Sequence, residues 1–416
     1  MTSDTTLPTL LIANLDCDDE YASDAGARPP MNATALARLS AAGTLLRCLA
    51  RSTHDALWTP SPIAAAQFGE LPLVRPRLLS GPLERTVRAA GPFGQVIAWG
   101  ETATIARLRR EVCAAIAPRA GVAADSESAL AEQLATLPAA DPTSAARANH
   151  RGFLLELAQG LDAALPGARL IRSIDALRSH LAAGGANASP THSWVLKAVH
   201  SAAGRARIFG GTTALEAGQL AATTQLLAQH GELLFEPWMP RVDDFGSAFI
   251  VRSHDHELVS CHRQLVDRWG RFRGIEIPPG HGPGDPGLSV AEHAQWATAI
   301  AATARTLRTI GYVGPVTIDA WSYRAADETR KFQALGEINA RLSVGVLARV
   351  LVDQLRACGL VPLDCGVRLN FTTAVARAAT AAGRGVALLL PSAQNPTDIW
   401  LDWPNPGSKG TTRHEE

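Results

Sequence analysis

The sequence predicts an α/β and α+β chain, an open α/β domain followed by a larger mixed region, on three observations. Strand-like and helix-like segments alternate up to about residue 120. A stretch rich in Ala, Ser, Asp and Pro, residues 121–148, then interrupts them. Beyond it, two short apolar strands each offer a carboxylate, Asp319 in Gly314-Pro315-Val316-Thr317-Ile318-Asp319-Ala320 and Glu337 eighteen positions later in Leu335-Gly336-Glu337-Ile338-Asn339.

The elements follow in order. Residues 10–15 read as a strand. Residues 32–51 carry leucines at 36, 39, 45, 46 and 49, close to helical spacing, with Asn32 as N-cap. Gln95 to Trp99 is a strand ended by Gly100, and 102–117 is a helix. Next come a helix at 151–164, a strand at 168–171, a helix at 174–183, and the strand Trp194-Val195-Leu196-Lys197. A helix at 213–229 precedes a hairpin of strands 247–252 and 258–266, whose turn is Ser253-His254-Asp255-His256-Glu257. A Gly/Pro-rich loop at 278–287 leads into a long helix at 290–310. After the acidic strands, 347–358 reads as a helix, 386–390 as a late strand and 404–416 as a frayed tail.

A carboxylate inside an apolar strand is costly to bury unless it is paired or bound to metal. Strand side chains alternate faces, so Glu337, Asn339 and Arg341 share one face. With Asp319 from a neighbouring strand they make an all-oxygen cluster beside an arginine. Such a donor set suits Mg²⁺ shared with phosphate oxygens, with Mn²⁺ as a substitute. The histidine-bearing turn, His254, Asp255 and His256 with His262, lacks any zinc-site spacing and reads as a hydrated hairpin. No G-x-S-x-G or Walker loop is present.

At 416 residues the chain suits two to four subdomains. Its 46% hydrophobic and 19% charged content is globular. Lys+Arg and Asp+Glu balance at 39 each, which argues against nucleic acid or an anionic membrane as partner. No apolar run approaches the ~20 residues that span a bilayer. Residues 1–8 carry no signal-peptide pattern, and six scattered cysteines without C-x-x-C spacing read as reduced thiols, so a cytoplasmic location is expected.

The acidic strand followed by Glu337-x-Asn339-x-Arg341 resembles the metal-binding end of the ATP-grasp ligases. Other segments fit that resemblance in order: the strand ending in Lys197, the small-residue loop His200-Ser201-Ala202-Ala203-Gly204-Arg205, and the hinge-like Phe235-Glu236-Pro237-Trp238-Met239. The resemblance covers roughly 145–358. The first strand and Trp99-Gly100 are similar to a poorly characterised subgroup that contains peptide-bond-forming enzymes.

It implies an N-terminal open α/β (pre-ATP-grasp) domain, residues 1–145, followed by a two-lobed ATP-grasp fold. The first ATP-grasp subdomain spans 146–232, the second, with the metal site, 233–358, and an α/β extension and tail 359–416. It implies ATP and Mg²⁺ as cofactors, with Asp319, Glu337 and Asn339 as metal ligands. Lys197, Ser201, Gly204 and Arg205 would meet phosphates, Glu236, Trp238 and Met239 adenine, and Asp243 ribose. Many members carry a second phosphate lysine about forty residues before the loop lysine; here Arg147 or Arg151 would serve. Arg341 would hold an acyl phosphate or substrate carboxylate.

The activity implied is ligation of a small-molecule carboxylate and an amine through an acyl phosphate. The alternatives are a biotin-carboxylase-like carboxylase and an inactive nucleotide-binding scaffold. A homodimer is left open.

Overall fold

The computed structural model describes residues 7–22, 31–64, 68, 71–113, 129–184, 193–201, 205–211, 214–267, 270–371, 384–390 and 399–404. Three sheets organise it. The N-terminal sheet is parallel, with Arg77–Ser80, Ala56–Thr59, Thr9–Ile12 and Gln95–Ala98 in that spatial order. Leu10, Leu11 and Ile12 are fully buried, as a parallel strand covered on both faces requires. Asn32 caps the helix Ala33–Gly43 by accepting from the Ala35 N–H at 2.8 Å. The helix expected over 32–51 ends at Gly43 and continues as a 3-10 turn, Thr44–Leu49, whose six residues are all buried.

A small antiparallel sheet runs Arg169–Ile171, Leu233–Pro237, Trp194–Ala198 and Arg207–Gly210. A large antiparallel sheet of eight strands runs Arg330–Asn339, Gly314–Arg324, Arg241–Val251, His256–Val266, Phe272–Ile277, Val367–Asn370, Ile399–Trp403 and Gly385–Leu390. Leu233–Pro237 thus pairs within the small sheet, and three strands beyond residue 359 extend the large one.

The helix Val344–Ala357 packs its buried face onto the large sheet and against Thr44–Leu49, so one apolar core joins the N-terminal unit to the large sheet. The long helix Val290–Thr309 covers the acidic-strand end, begun by a capping box of Ser289 and Glu292. Several strands lacked a sequence signal, among them Ala56–Thr59, Phe272–Ile277 and Ile399–Trp403, each four to six residues long. The hairpin strand expected at 247–252 begins at Arg241 instead. All six cysteines are free, and among the described residues no helix is long and apolar enough to cross a membrane. The end of the helix expected at 102–117, the first part of the linker expected at 121–148 and the tail from 405 lie outside the described residues.

Candidate active site

Asp319 and Glu337 occupy directly opposed positions of two antiparallel strands, and Asn339 is opposed to Thr317 on the same face. All four line a cavity of about 830 Å³ between the small sheet, the large sheet and the N-terminal unit. Burial raises the Asp319 carboxyl above its usual range and the neighbouring Glu337 charge adds to this, against a 2.6 Å hydrogen bond from Gln264 Nε2. Burial also works to raise Glu337, but Arg151, Arg207, Lys197 and Arg341 outweigh it and hold that carboxyl low. The pair therefore splits, one carboxylate held ionised by arginines and the other inclined to keep its proton. A divalent cation would favour both as carboxylates, so the donor set fits one. Among the described residues no three His, Cys, Asp or Glu side chains gather to hold a metal by themselves. Phosphate oxygens would have to complete the coordination.

The room above this pair depends on two absent side chains. At Gly336 a Cβ would run into the Trp321 ring, and at Gly246 into His262. A register shift between Asp319 and Trp321 swings the Trp321 ring over Gly336, where it forms a wall of the cavity.

Arg151, Arg207 and Lys197 converge on Glu337, with Arg241 beside Lys197. Arg151 donates Nη2 to Glu337 Oε1 at 2.6 Å and is fixed by Ser201, Nη1 to Oγ at 2.8 Å and Nη2 to the backbone carbonyl at 3.0 Å. Arg207 lies 3.9 Å from Glu337 Oε2. Lys197, buried on its strand, donates to Glu236. Its burial lowers the ammonium below its ordinary value, Glu236 opposes this, and Arg207, Arg241 and Arg151 add to the fall. Arg241 stacks 3.9 Å above the Trp321 ring and pairs with Asp244 at 2.6 Å.

The N-terminal unit closes the site. Arg341 Nη2 donates to Asp18 Oδ2 at 3.1 Å, both side chains being buried. Burial alone would lower the Arg341 guanidinium; Asp18, Cys17 and Glu337 reverse this and hold it above its ordinary value. Arg205 pairs with Asp19 at 3.1 Å.

The expected residues therefore divide. Asp319, Glu337, Asn339, Lys197, Arg205 and Arg341 share the cavity, and Arg151 and Ser201 reach it through Glu337 and each other. Arg147 does not: it is exposed on Pro142–Asn149. Asp243 is also displaced. It points to the opposite face of its strand, paired with Arg263 and with Arg330 at 2.8 Å, whereas Asp244 lines the cavity. Asp244, not Asp243, therefore faces the cavity, because successive strand residues alternate faces. Met239 packs with Leu165 and Trp321, and Trp238 stacks edge-on with Phe209 at 4.9 Å. Gly204 lies outside the described residues. His254 stays in the hairpin turn, His256 begins the strand His256–Val266 opposite Val251, and His262 is buried on the cavity wall, so these histidines do not gather into a metal cluster among the described residues. Arg207, Arg241, Gln264, Trp321 and Asp18 were not anticipated. For Arg207 the signal existed, since it alternates with Arg205 at strand spacing; Gln264 and Trp321 emerge only from cross-strand register.

No protein-family model matches the chain, and no curated protein matches its sequence. Its fold is similar to solved structures. N5-carboxyaminoimidazole ribonucleotide synthetase from Thermus thermophilus superimposes with TM-score 0.51 at 15% identity, over 96% of this chain and 93% of that one. N5-carboxyaminoimidazole synthetase from Staphylococcus aureus gives 0.52 at 8% identity, over 96% and 93%. Biotin carboxylase from Campylobacter jejuni, solved as a β,γ-ATP complex, gives 0.52 at 12% identity, over 95% and 87%.

Proposed function

From the ATP-grasp fold that this chain adopts, we propose that it is an ATP-dependent ligase joining a carboxylate to an amine. A carboxylate oxygen attacks the γ-phosphorus of ATP and ADP leaves. The amine then attacks the acyl carbon, the C–N bond forms, phosphate departs, and the nitrogen loses a proton to solvent.

The observation that carries this reading is the opposed pair Asp319 and Glu337 on the wall of a strongly cationic cavity. Eight arginine and lysine side chains line it against three carboxylates, in a chain whose formal net charge is zero. That excess suits a polyphosphate. Asp319, Glu337 and Asn339 would hold Mg²⁺, which when bound neutralises phosphate charge. Arg151 hydrogen-bonds Glu337; a nucleotide phosphate would compete for that guanidinium and leave the carboxylate free to hold Mg²⁺. Lys197 and Arg207 bind phosphate oxygens, Trp238 and Met239 wall the adenine, and Asp244 accepts from the ribose. Arg341, oriented by Asp18, holds the substrate carboxylate. Catalysis is positioning and charge neutralisation, with no covalent intermediate on the chain.

The test measures ATP turnover with carboxylates and amines supplied in pairs, with hydroxylamine as a trap for the acyl phosphate. The carboxylating enzymes among the similar folds make bicarbonate a carboxylate to include. Expected are ADP formation that requires a carboxylate, and a hydroxamate from it. ATP binding without carboxylate-dependent turnover across the panel would leave a nucleotide-binding protein instead.

A further inference from the structure

The cavity that holds the carboxylate pair extends well beyond it. Trp321, Asp244, Gln264 and Ile275 all line it and are successive cross-strand partners, so they form one continuous strip over four strands. At about 4.8 Å per strand, Ile275 lies roughly 14 Å from Trp321. The chemistry changes along that strip. All three lining carboxylates, Asp244, Asp319 and Glu337, belong to the strands Arg241–Val251, Gly314–Arg324 and Arg330–Asn339. Past Gln264 the sheet contributes Phe272, Ile275 and Phe371 instead. Phe371 is held there by its N–H, which donates to the Arg273 carbonyl at 2.9 Å.

These apolar side chains are reachable. Leu15, Phe272, Val344 and Phe371 are each half-buried. They pack against the core that contains Ile275 and Trp99, and they also line the cavity. The Phe272 and Phe371 rings lie 5.5 Å apart with their planes at 57°. A concave apolar wall of this kind favours ligand surface over water. The nucleotide of the proposed reaction does not cover it, since its phosphates are assigned to Lys197 and Arg207 and its adenine to Trp238 and Met239. Arg38, Arg271 and Arg273 line the cavity too, but all three are exposed, and Arg273 pairs with Asp267 at 2.8 Å. They stand at its mouth. The apolar end adjoins Arg341: the next residue, Leu342, donates its N–H to the Trp99 carbonyl at 2.9 Å.

Resting on the ligase reading above, we propose that the carboxylate substrate carries a bulky apolar group of about the size of a phenyl ring. That group fills the end of the cavity between Leu15, Phe272 and Phe371, and the carboxylate lies beside Arg341. Two tilted rings accept a third edge-on or offset, which suits an aryl group.

The experiment is calorimetry on the full chain with ADP and Mg²⁺, titrating 3-phenylpropionate, 4-phenylbutyrate, butyrate and glutarate. One of the phenyl acids should bind about tenfold or more tightly than butyrate, the scale that burial of one ring gives. Glutarate should show no such gain. Ala42→Phe, which fills the apolar end from the helix Ala33–Gly43, should bring the phenyl acids level with butyrate. Phe371→Ser, which removes one wall, should cut the preference by about threefold or more. Melting curves check that both variants fold, and the native series decides without them. Phenyl acids no tighter than butyrate, or glutarate tighter than both, would overturn the proposal. So would a phenyl preference that survives intact in both variants. Carboxylate-dependent hydroxamate formation from ATP tests the ligase reading separately. Turnover of small carboxylates with no phenyl preference keeps ligation and removes this substrate class. Phenyl-selective binding without turnover keeps the apolar site and removes ligation.

Discussion

Asp319 and Glu337 stand opposite each other on adjacent antiparallel strands, and opposite influences prevail on them: burial and the Glu337 charge raise the first, while Arg151 and Arg207 hold the second low. If the pair holds the metal of the proposed reaction, Glu337→Gln keeps the volume and removes a charged ligand. Turnover should fall by on the order of a hundredfold or more, comparable to the ~10²–10³ lost with one charge-stabilising group elsewhere. Nucleotide binding should lose most of its Mg²⁺ dependence in titrations with and without the ion.

Asp319 leads to a different expectation. A carboxyl whose proton affinity is raised by folding binds more protons native than unfolded between its ordinary and its raised value. Stability therefore falls as pH rises through that window. Asp319→Asn should remove this penalty and stabilise the nucleotide-free chain at pH 7 by ~1 kcal/mol while abolishing turnover, a trade typical of functional sites. Urea denaturation at pH 5 and pH 7 checks it, since the gain should shrink at the lower pH.

Arg151 and Arg147 separate cleanly. Arg151→Ala should weaken ATP at least tenfold by calorimetry, with partial recovery in Arg151→Lys, because one buried guanidinium bridges Glu337 and Ser201. Arg147→Ala, on an exposed helix face, should bind ATP as the native chain does. Lys197→Ala should weaken nucleotide by a similar factor.

Asp244 and Asp243 are adjacent in sequence and point to opposite faces. Asp244→Asn should raise the KM for ATP several-fold and Asp243→Asn should not, since Asp243 lies in exposed ion pairs with Arg263 and Arg330 worth ~1 kcal/mol or less. ATP against 2′-deoxy-ATP distinguishes ribose contact from a structural effect.

Two buried histidines set an acid limit. Burial lowers His262 to about 4 and His200 to about 3, the latter with His150, Arg151 and His230 adding to the fall. Both bind protons unfolded before they do so folded, so stability is full above about pH 6.5 and is lost as pH falls towards those lower values. His262→Gln should flatten the pH 5 to 6.5 part of the denaturation profile by ~1 kcal/mol. The imidazole lies between Gly246 and Gly345, where neither strand nor helix leaves room for a Cβ.

What the sequence revealed and what it hid follow from distance along the chain. Asp319, Glu337 and Asn339 were legible because charge inside a β-branched run is anomalous at any scale of reading. The helix starting after Asn32 was legible because its cap is three residues from the amide that it serves. Asp18 was not: it meets Arg341 across 323 residues, and nothing local to Leu15-Asp16-Cys17-Asp18 predicts that partner. Asp244 rather than Asp243 lines the cavity for a geometric reason. Spacing from a hinge locates a residue within one position, and one position on a strand reverses the face. The short strands Ala56–Thr59 and Ile399–Trp403 stayed hidden because four or five residues are too few to show a period.

The large sheet has a further consequence for how the chain is made and handled. Its central strands arise early, but the flank beside Phe272–Ile277 is covered only when Val367–Asn370 and then Ile399–Trp403 add on. Until synthesis reaches them, a row of unpaired amides beside Ile275 and Ile277 stands open as a template for a second molecule. A chain cut after residue 358 keeps every carboxylate and cation of the proposed site. It should nevertheless aggregate, because the strands that cover the Phe272–Ile277 edge lie beyond the cut.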